Sequence, residues 1–560
     1  MIFASFAEVL SIGAVLPFLA AIAAPDRIFQ HAYAQPFIEF LELTAPDELL
    51  WPLALVFCLA ALVAAAVRLT VLWASTRLAF AAGADLSIDI YRRTLFQPYS
   101  VHIARNSSEI IASISIKANG VIHVSMLCLN FISASTVLVA ILIALLCVDP
   151  HIAIAAIGGF GTIYLAIAWF SRERLIRNSE RGSRASTQVV KSLQEGLGGI
   201  RDILINGSQN ANCEVYRHAE IRWRRAQGDS SIISASPRYV MEALGMILIA
   251  MLACALVQRS DGIANAIPIL GALAMGAQRT LPVLQQAYGA WSGVRGEGAA
   301  LEDILGLLDQ PLPEYATQGL VAPVAFNEHI RLEDVAFRYS AETEWVLHDL
   351  NLTIPKGSCV GFIGVTGGGK STLLDILMGL LPPTSGTLII DGQSIGAANH
   401  RAWQAHIAHV PQAIFLADRS IEENIALGLS KSEIDPVRVR LAAKQAQIAD
   451  VIEALPRQYQ TTVGERGIRL SGGQRQRIGI ARALYKDPSV IIFDEATSAL
   501  DSETEQAVME AIEGLSHSLT ILIVAHRLTT LKSCSLIVEI GAQGIIRTGS
   551  YQEIIAASAA

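Results

Sequence analysis

The chain has 560 residues and a formal net charge of −8, with 52% hydrophobic and 16% charged residues. Soluble proteins carry about 25% charged residues, so part of this chain is expected to lie in lipid. The acidic balance argues against nucleic acid as a partner. The 7 cysteines are scattered, with no CxxC pair that would indicate a disulfide framework or a zinc site.

Long apolar stretches fill the first 310 residues. A helix needs about 20 residues to cross the hydrocarbon core, which gives six candidate spans. A signal peptide is the alternative for the first stretch, but no basic segment precedes it. We therefore predict an all-α, six-span transmembrane helical domain over 1–310. The spans are Ile2–Ala24, Trp51–Ser75, Val124–Val148, Ile152–Phe170, Tyr239–Val257 and Ile263–Ala290.

The loops between these stretches differ in charge. The 25–50 loop is acidic, whereas the 76–123 and 171–238 segments are rich in arginine. Because cytoplasmic loops carry the excess of Lys and Arg, both basic segments and the C-terminal half are predicted to be cytoplasmic. Apolar residues recur in them at helical spacing, which predicts helical extensions that turn through short crosswise helices near Pro98–Ser108 and Gly207–Val215.

The character of the chain changes near Asp309, where hydrophobic runs become short and alternate with turns and polar helices. Residues 311–329 are predicted to be a linker, and residues 330–560 a soluble α/β domain. Its strand-like stretches include Ile330–Val335, Thr387–Ile390 and Val490–Phe493.

A glycine-rich loop lies between an apolar run, Cys359–Ile363, and a helical stretch, Leu373–Met378. Strand, glycine loop and helix are the context of a phosphate-binding P-loop, whose backbone N–H groups surround phosphates. Lys370 would reach the β- and γ-phosphates and Ser371 would bind Mg²⁺. The alternative is a chance glycine turn. The loop residues are Gly364, Val365, Thr366, Gly367, Gly368, Gly369, Lys370, Ser371 and Thr372.

Two further motifs support a P-loop NTPase that binds ATP together with Mg²⁺. The apolar run before Asp494 and Glu495 predicts a buried strand that brings both carboxylates to the ligand-binding edge of the sheet. Asp494 suits the Mg²⁺ shell, and Glu495 suits polarising a water for attack on the γ-phosphate. Ser471, Gly472, Gly473 and Gln474 precede a helix predicted to begin at Arg475, which makes a second anion site.

With these motifs, residues 330–555 resemble the nucleotide-binding domain of an ABC transporter, since Leu470–Gln474 matches the signature of that family. The resemblance implies that Tyr339 stacks on adenine and that Gln412 belongs to the catalytic and Mg²⁺ shell. It also implies that Asp501 contacts the nucleotide and that His526 contacts the γ-phosphate.

The same family places each signature helix on the ATP held by a partner domain. The resemblance therefore implies a homodimer, in which two copies of this chain form two ATP sites. One membrane domain fused ahead of one nucleotide domain is the exporter arrangement of the family, and it predicts an ATPase coupled to transport. A soluble ABC ATPase is excluded by the spans, and an inactive ATPase is disfavoured by Glu495 and His526.

Charged residues within the spans or at their ends are candidate substrate contacts, because charge in lipid is expensive and usually functional. Arg68, Arg238 and Arg279 would suit an anionic head group, since guanidinium groups match phosphate geometry. The alternative is pairing with acids such as Glu8 and Glu242 across helices.

The membrane domain also resembles the bacterial lipid-linked oligosaccharide flippases, through short motifs at Phe6–Glu8, Leu16–Phe18, Asn106–Ile110, Pro237–Gly245 and Arg279–Pro282. That resemblance implies a polyprenyl-pyrophosphate-linked glycan as substrate, an amphipathic helix within Phe29–Leu43, and a bacterial inner-membrane location. Gln286 departs from it, standing where a further arginine is expected. The chain also begins inside its first span, without the basic cytoplasmic segment that the resemblance implies before it. Exporters of lipid, drug, polysaccharide or peptide are the alternatives.

Overall fold

The structure is a computed structural model of the chain. It describes residues 29, 35–40, 45–148, 150–257, 263–316, 322–495, 500, 502–513, 519–525, 528–541 and 544–559. The chain divides into two compact units, which we call the helical unit (Met1–Gln97 and Ala104–Leu312) and the α/β unit (Pro98–Ile103 and Pro313–Ala560).

The helical unit consists of long helices joined by short ones. A single π-helical turn, Ser113–Lys117, separates α4 from α5. In chain order the described helices up to residue 312 are α1 (Gln35–Phe40), α2 (Leu50–Leu95), α3 (Tyr99–Ala104), α4 (Ser107–Ala112), α5 (Ala118–Val148), α6 (Pro150–Gly198), α7 (Ile200–Ile205), α8 (Gln209–Val257), α9 (Ile263–Gly296) and α10 (Gly298–Leu308). Of these, α3 belongs to the α/β unit up to Ile103.

The predicted spans can be compared with these helices. The five spans from Trp51 onward each lie within one long helix, namely α2, α5, α6, α8 and α9 in turn. The first span, Ile2–Ala24, lies outside the described residues. Within the described part of the chain, two helical segments are long and apolar enough to cross a membrane, Leu50–Leu95 and Ser107–Ile143. The total of six spans stays a prediction.

The short helices test the predicted crosswise turns. The first short helix is present, because α3 follows the turn at Pro98, and its crosswise direction stays a prediction. The second was placed too late: α7 lies at Ile200–Ile205, and Gly207–Val215 forms the turn and the first residues of α8. Two consecutive glycines at 198 and 199 end α6, and the backbone of Gly207 has φ of +61°. Those glycines set where the chain turns, because glycine adopts backbone conformations that other residues avoid.

The helical unit is held together by apolar clusters and a few buried polar contacts. Tyr164, Met241 and Tyr288 pack together where α6, α8 and α9 meet. The Lys117 ammonium is 8% exposed and donates to the Asp303 carboxylate at 2.6 Å, which ties the π-helical turn to α10. The buried ammonium would lose its charged partner if the two elements shifted, whereas the Asp303 side chain is 43% exposed and can be solvated.

The α/β unit contains two sheets. A four-stranded antiparallel sheet has the order β2–β1–β4–β5, and a six-stranded sheet has the order β10–β9–β3–β8–β7–β6, parallel except for β10. The strands are β1 (His329–Phe337), β2 (Leu347–Pro355), β3 (Cys359–Gly364), β4 (Ser385–Ile390), β5 (Gln393–Ile395), β6 (Ile407–Val410), β7 (Val490–Asp494), β8 (Thr520–Val524), β9 (Leu536–Gly541) and β10 (Gly544–Gly549).

Helices cover the parallel sheet on both faces. One core cluster joins β3 and the antiparallel sheet to α11, and a second joins the opposite face to α13, α14 and α16. All five residues of β8 are buried, which explains its continuous apolar sequence. The helices of the unit are α11 (Lys370–Leu377), α12 (His400–Gln404), α13 (Ile421–Ile425), α14 (Pro436–Gln445), α15 (Ala449–Glu453), α16 (Gly472–Tyr485), α17 (Ser502–Glu513) and α18 (Tyr551–Ala559).

Candidate functional site

The predicted P-loop connects the end of β3 to the start of α11. Gly364 has φ of +147°, and a Cβ there would clash with the carbonyl oxygen of Ile540 on the neighbouring strand. Gly369 caps α11 in the left-handed conformation, with φ of +90°. Only glycine fits both positions without strain, so the loop can turn tightly and present its N–H groups at a helix N-terminus.

Lys370 lies at the start of α11 and is 8% exposed. Its Nζ donates to the carbonyl oxygens of Gly364 and Val365, each at 2.9 Å. The ammonium is therefore held inside the loop by the carbonyls of the loop itself. A buried cation whose two hydrogen-bond partners are neutral favours an anionic ligand beside it.

Tyr339 is positioned from the antiparallel sheet. Its hydroxyl lies 3.0 Å from Oγ1 of Thr372, which is buried in α11. The ring packs edge-on against Phe337 with centroids 5.0 Å apart, and the residue remains 55% exposed. An anchored aromatic ring with an open surface beside a P-loop can stack on a purine base.

Short helix α3 groups with the α/β unit up to Ile103. Burial, with a smaller effect from the Asp375 carboxylate and then from Tyr339, raises the pKa of Tyr99. Tyr99 therefore lies close enough to α11 for the Asp375 carboxylate to affect the ionisation of its hydroxyl. The sequence had predicted only that this turn exists.

Carboxylates concentrate at the edge of the sheet beside Lys370. Burial and then the neighbouring Glu495 carboxylate raise the pKa of Asp494, while Lys370 opposes that rise. Burial and then Asp494 raise the pKa of Asp375, in α11, to about 6. These half-buried acids repel one another, so the site favours a divalent cation as neutralising partner. The sequence analysis missed Asp375, because one acid within an apolar helix carries no motif.

Glu495 has an unusual backbone and a specific partner. Its φ is +50°, and its N–H donates to the carbonyl oxygen of Val524 on β8 at 3.0 Å. Left-handed backbone at a non-glycine residue costs about 1–3 kcal/mol and is found mainly at functional sites. Nε2 of Gln412 donates to Oε2 of Glu495 at 2.7 Å. The structure thus brings together two residues that lie 83 positions apart in the sequence.

The signature segment begins α16. Ser471 is the N-cap: its Oγ accepts from the N–H of Gln474 at 3.2 Å, and Oε1 of Gln474 accepts from the N–H of Ser471 at 2.9 Å. This capping box starts the helix at Gly472, so the predicted start at Arg475 was three residues late. Ser471 lies at a helix start as predicted and is exposed, and its role in a second anion site stays a prediction.

The structure gives little or no support for several other predicted site residues. Asp501, His526 and the side chain of Arg279 lie outside what the structure describes. Arg68 is exposed on α2, and Arg238 is exposed on α8. Nε of Arg238 donates to Glu242 at 2.8 Å, one turn along the same helix, so the predicted acid partner is real but lies within one helix.

The donor set fits a magnesium–nucleotide complex. Among the described residues, no group of three or more His, Cys, Asp or Glu side chains is arranged to hold a metal. Mg²⁺ in nucleotide sites uses one or two protein ligands together with phosphate oxygens and water, so Ser371 and Asp494 suffice chemically.

Known protein families match both halves of the chain. The family model described as "ABC transporter" matches residues 347–498, and the one described as "ABC transporter transmembrane region" matches residues 3–274. The chain belongs to the ABC transporter family. This ABC transporter carries its membrane region and its ATPase domain on one polypeptide, and it is an ATP-driven transport ATPase.

Relatives of this ABC transporter match almost its whole length. The ATP-dependent lipid A-core flippase of Alkalilimnicola ehrlichii is 29% identical, covering 87% of this chain and 81% of that protein. The ATP-dependent lipid A-core flippase of Ralstonia nicotianae is 28% identical, covering 84% and 79%. A solved structure of a bacterial Atm1-family ABC exporter with ATP bound superposes with a TM-score of 0.79 at 25% identity, covering 98% and 96%. The fold is therefore that of an ABC exporter.

Proposed function

We propose that this ABC exporter uses ATP to translocate a glycolipid with an anionic head group across the bacterial inner membrane. The observation that carries the proposal is the near full-length similarity to proteins named lipid A-core flippases. A polyprenyl-pyrophosphate-linked oligosaccharide is the specific substrate that the sequence motifs favour. Lipid, drug, polysaccharide or peptide export are the outcomes that would replace it.

We assign the ATP site to the P-loop edge of the α/β unit. The loop residues Gly364–Thr372 would bind the phosphates through their N–H groups, with Lys370 turning from its carbonyl partners towards the β- and γ-oxygens. Tyr339 would stack on adenine. Bound Mg²⁺, held by Ser371, Asp494 and the Gln412 side chain, would neutralise charge on the phosphates.

Glu495 is the proposed general base. Its carboxylate would accept the proton of the attacking water, and Gln412 would hold it in place through the 2.7 Å hydrogen bond. His526 and Asp501 complete the proposal on the strength of their motifs. A second copy would supply Ser471–Gln474, because an exposed capped helix start is suited to closing over a phosphate.

The proposed substrate contacts are Arg68, Arg238 and Arg279, which belong to three different helices, α2, α8 and α9. Guanidinium groups from separate helices can approach a pyrophosphate from several sides. Arg238 would exchange its Glu242 partner for substrate, and that exchange lowers its net contribution.

Proteoliposomes test this assignment directly. Replacing Arg279 by Ala should abolish ATP-dependent movement of a fluorescent pyrophosphate-linked glycolipid while sparing basal ATP hydrolysis. Arg295, exposed near the end of the same helix, provides the matched control, and R295A should translocate normally. Normal translocation by R279A would refute the arginine site.

A further inference from the structure

The helical unit contains a cavity of about 380 Å³ between α6 and α8 that no step of the proposed cycle uses. It is half open, and contacts between helices flank it along the chain. At one end a Cβ on Gly182 of α6 would lie 3.7 Å from Cβ of Ala226 on α8, so the helices approach closely. At the other end the Tyr288 hydroxyl of α9 lies 3.4 Å from Oγ of Ser171 and donates to the carbonyl oxygen of Ile233 at 3.2 Å.

One wall of the cavity is basic. Arg174, Arg177 and Arg181 occur at spacings of three and four residues on α6, which places them on one helix face. Asn178 lies between them and is 9% exposed. The other wall, from α8, is formed by Asp229, Ile232 and Ile233. The cavity therefore combines a row of guanidinium groups with an apolar surface and one carboxylate.

The arginines are only weakly neutralised. Arg177 lies 3.9 Å from Glu173, a carboxylate that is 82% exposed, at the outer limit of an ion pair. Asp229 adds one negative charge, so three cations face one carboxylate across the cavity. Guanidinium forks bind phosphate oxygens in bidentate fashion, and a preformed row of them is suited to a phosphate group.

The cavity begins just beyond the apolar part of α6. Trp169 and Phe170 end the apolar part of α6 and are 74% and 73% exposed, as expected for aromatic side chains at a membrane interface. With a rise of 1.5 Å per residue, the three arginines lie about 6 to 17 Å beyond Phe170, on the side that loop charge assigns to the cytoplasm.

We propose that this cavity binds the phosphate-bearing head group of a lipid from the cytoplasmic leaflet. Arg174, Arg177 and Arg181 bind the phosphate, Ile232 contacts the glycerol and first acyl carbons, and Asp229 accepts a hydrogen bond from a head-group hydroxyl. Basic pockets between transmembrane helices on the cytoplasmic side are suited to such lipids. The proposal concerns binding alone, so it can hold or fail independently of which substrate is transported.

The test is a binding titration with detergent-purified, full-length, nucleotide-free protein and dioctanoyl-phosphatidylglycerol. The triple variant R174Q/R177Q/R181Q should bind this lipid at least tenfold more weakly than the parent. The charge-matched control R184Q/R222Q/R225Q removes three exposed arginines outside the cavity lining and should bind within twofold of the parent. Equal weakening by both triple variants would show general surface attraction and overturn the proposal.

Two ligand arms separate the sources of the phosphate. Dioctanoylglycerol, which lacks phosphate, should bind at least tenfold more weakly than the phospholipid, and inorganic phosphate at an equal concentration should not displace it. Equal binding of the diglyceride, or displacement by phosphate, would overturn the lipid head-group assignment. I232E is the second variant, because Ile232 is 66% exposed and tolerates a polar side chain. It should also weaken binding at least tenfold, and unchanged binding would count against the cavity.

Discussion

Replacing Glu495 by Gln tests the ATPase site most sharply, because the change removes a charge and little else. Gln412 donates to Oε2 of Glu495 at 2.7 Å, and a glutamine at position 495 can still accept that bond through its carbonyl oxygen. The strained backbone, with φ of +50°, is equally costly for either side chain. The variant should therefore fold and bind ATP like the parent while lacking a base.

The magnitude follows from the role of a general base. Such a group contributes about 10²- to 10⁴-fold in rate, or about 3–5 kcal/mol of transition-state stabilisation. E495Q should lose turnover by that factor, retain the ATP affinity of the parent and accumulate ATP in a closed dimer. Gln412→Ala leaves the Glu495 carboxylate in place but removes its hydrogen bond and one proposed Mg²⁺ ligand, so at saturating Mg²⁺ it should cost less turnover than E495Q.

The assay is steady-state phosphate release by purified protein, with ATP affinity measured separately by binding. At saturating Mg²⁺ the proposed metal ligand is not limiting, and both side chains then act through one carboxylate. The double variant Q412A/E495Q should therefore lose no more activity than E495Q alone. Turnover of E495Q within threefold of the parent would refute the base assignment. Additive losses in the double variant would refute the positioning role of Gln412.

Three further changes test the α/β unit. Because the pKa of Asp375 is raised to about 6, the folded protein favours the protonated carboxyl, and the free energy of unfolding falls as pH rises from about 4 to 6. D375N should therefore raise the free energy of unfolding of the nucleotide-free protein by about 1–2 kcal/mol at pH 7.5 and leave it unchanged at pH 4. Asp391 accepts from the N–H groups of residues 327–329, so D391A should lower the melting temperature by an amount equivalent to about 1–3 kcal/mol. Ser471→Ala removes a helix cap worth about 1 kcal/mol, and it should reduce ATP hydrolysis far more than this small loss of stability explains.

The Asp391 prediction also has a pH dependence. Partial burial alone would raise the pKa of Asp391, but the three backbone N–H donors outweigh it and hold the pKa below the ordinary value. The stability that this carboxylate contributes is therefore present above about pH 4 and is lost as pH falls further. The melting difference between D391A and the parent should shrink at low pH, and a constant difference would contradict the role of the charge.

The sequence predicted the parts of the fold that depend on local patterns. The strand before Gly364, the helix after it and the buried strand before Asp494 were all expected from apolar runs and glycines, and the structure has them as β3, α11 and β7. Helix α16 starts three residues earlier than predicted, because Ser471 and Gln474 form a capping box that places Gln474 inside the first turn of the helix.

Contacts between distant residues could not be predicted from the sequence. The hydrogen bond between Gln412 and Glu495 requires β6 and β7 to be neighbours, and no local pattern fixes that strand order. The raised pKa of Asp375 depends on burial and on Asp494, neither of which the helix sequence reveals. The cavity of Arg174, Arg177 and Arg181 likewise exists only because α8 packs against α6.

The central claim is that ATP hydrolysis at Glu495 drives movement of a glycolipid through the helical unit. The most direct measurement follows a fluorescent pyrophosphate-linked glycolipid across proteoliposomes that contain the parent or E495Q. The parent should move the glycolipid with ATP and not with ADP, and E495Q should not move it with either. Translocation by E495Q at the rate of the parent, or no translocation by the parent while it hydrolyses ATP, would contradict the account.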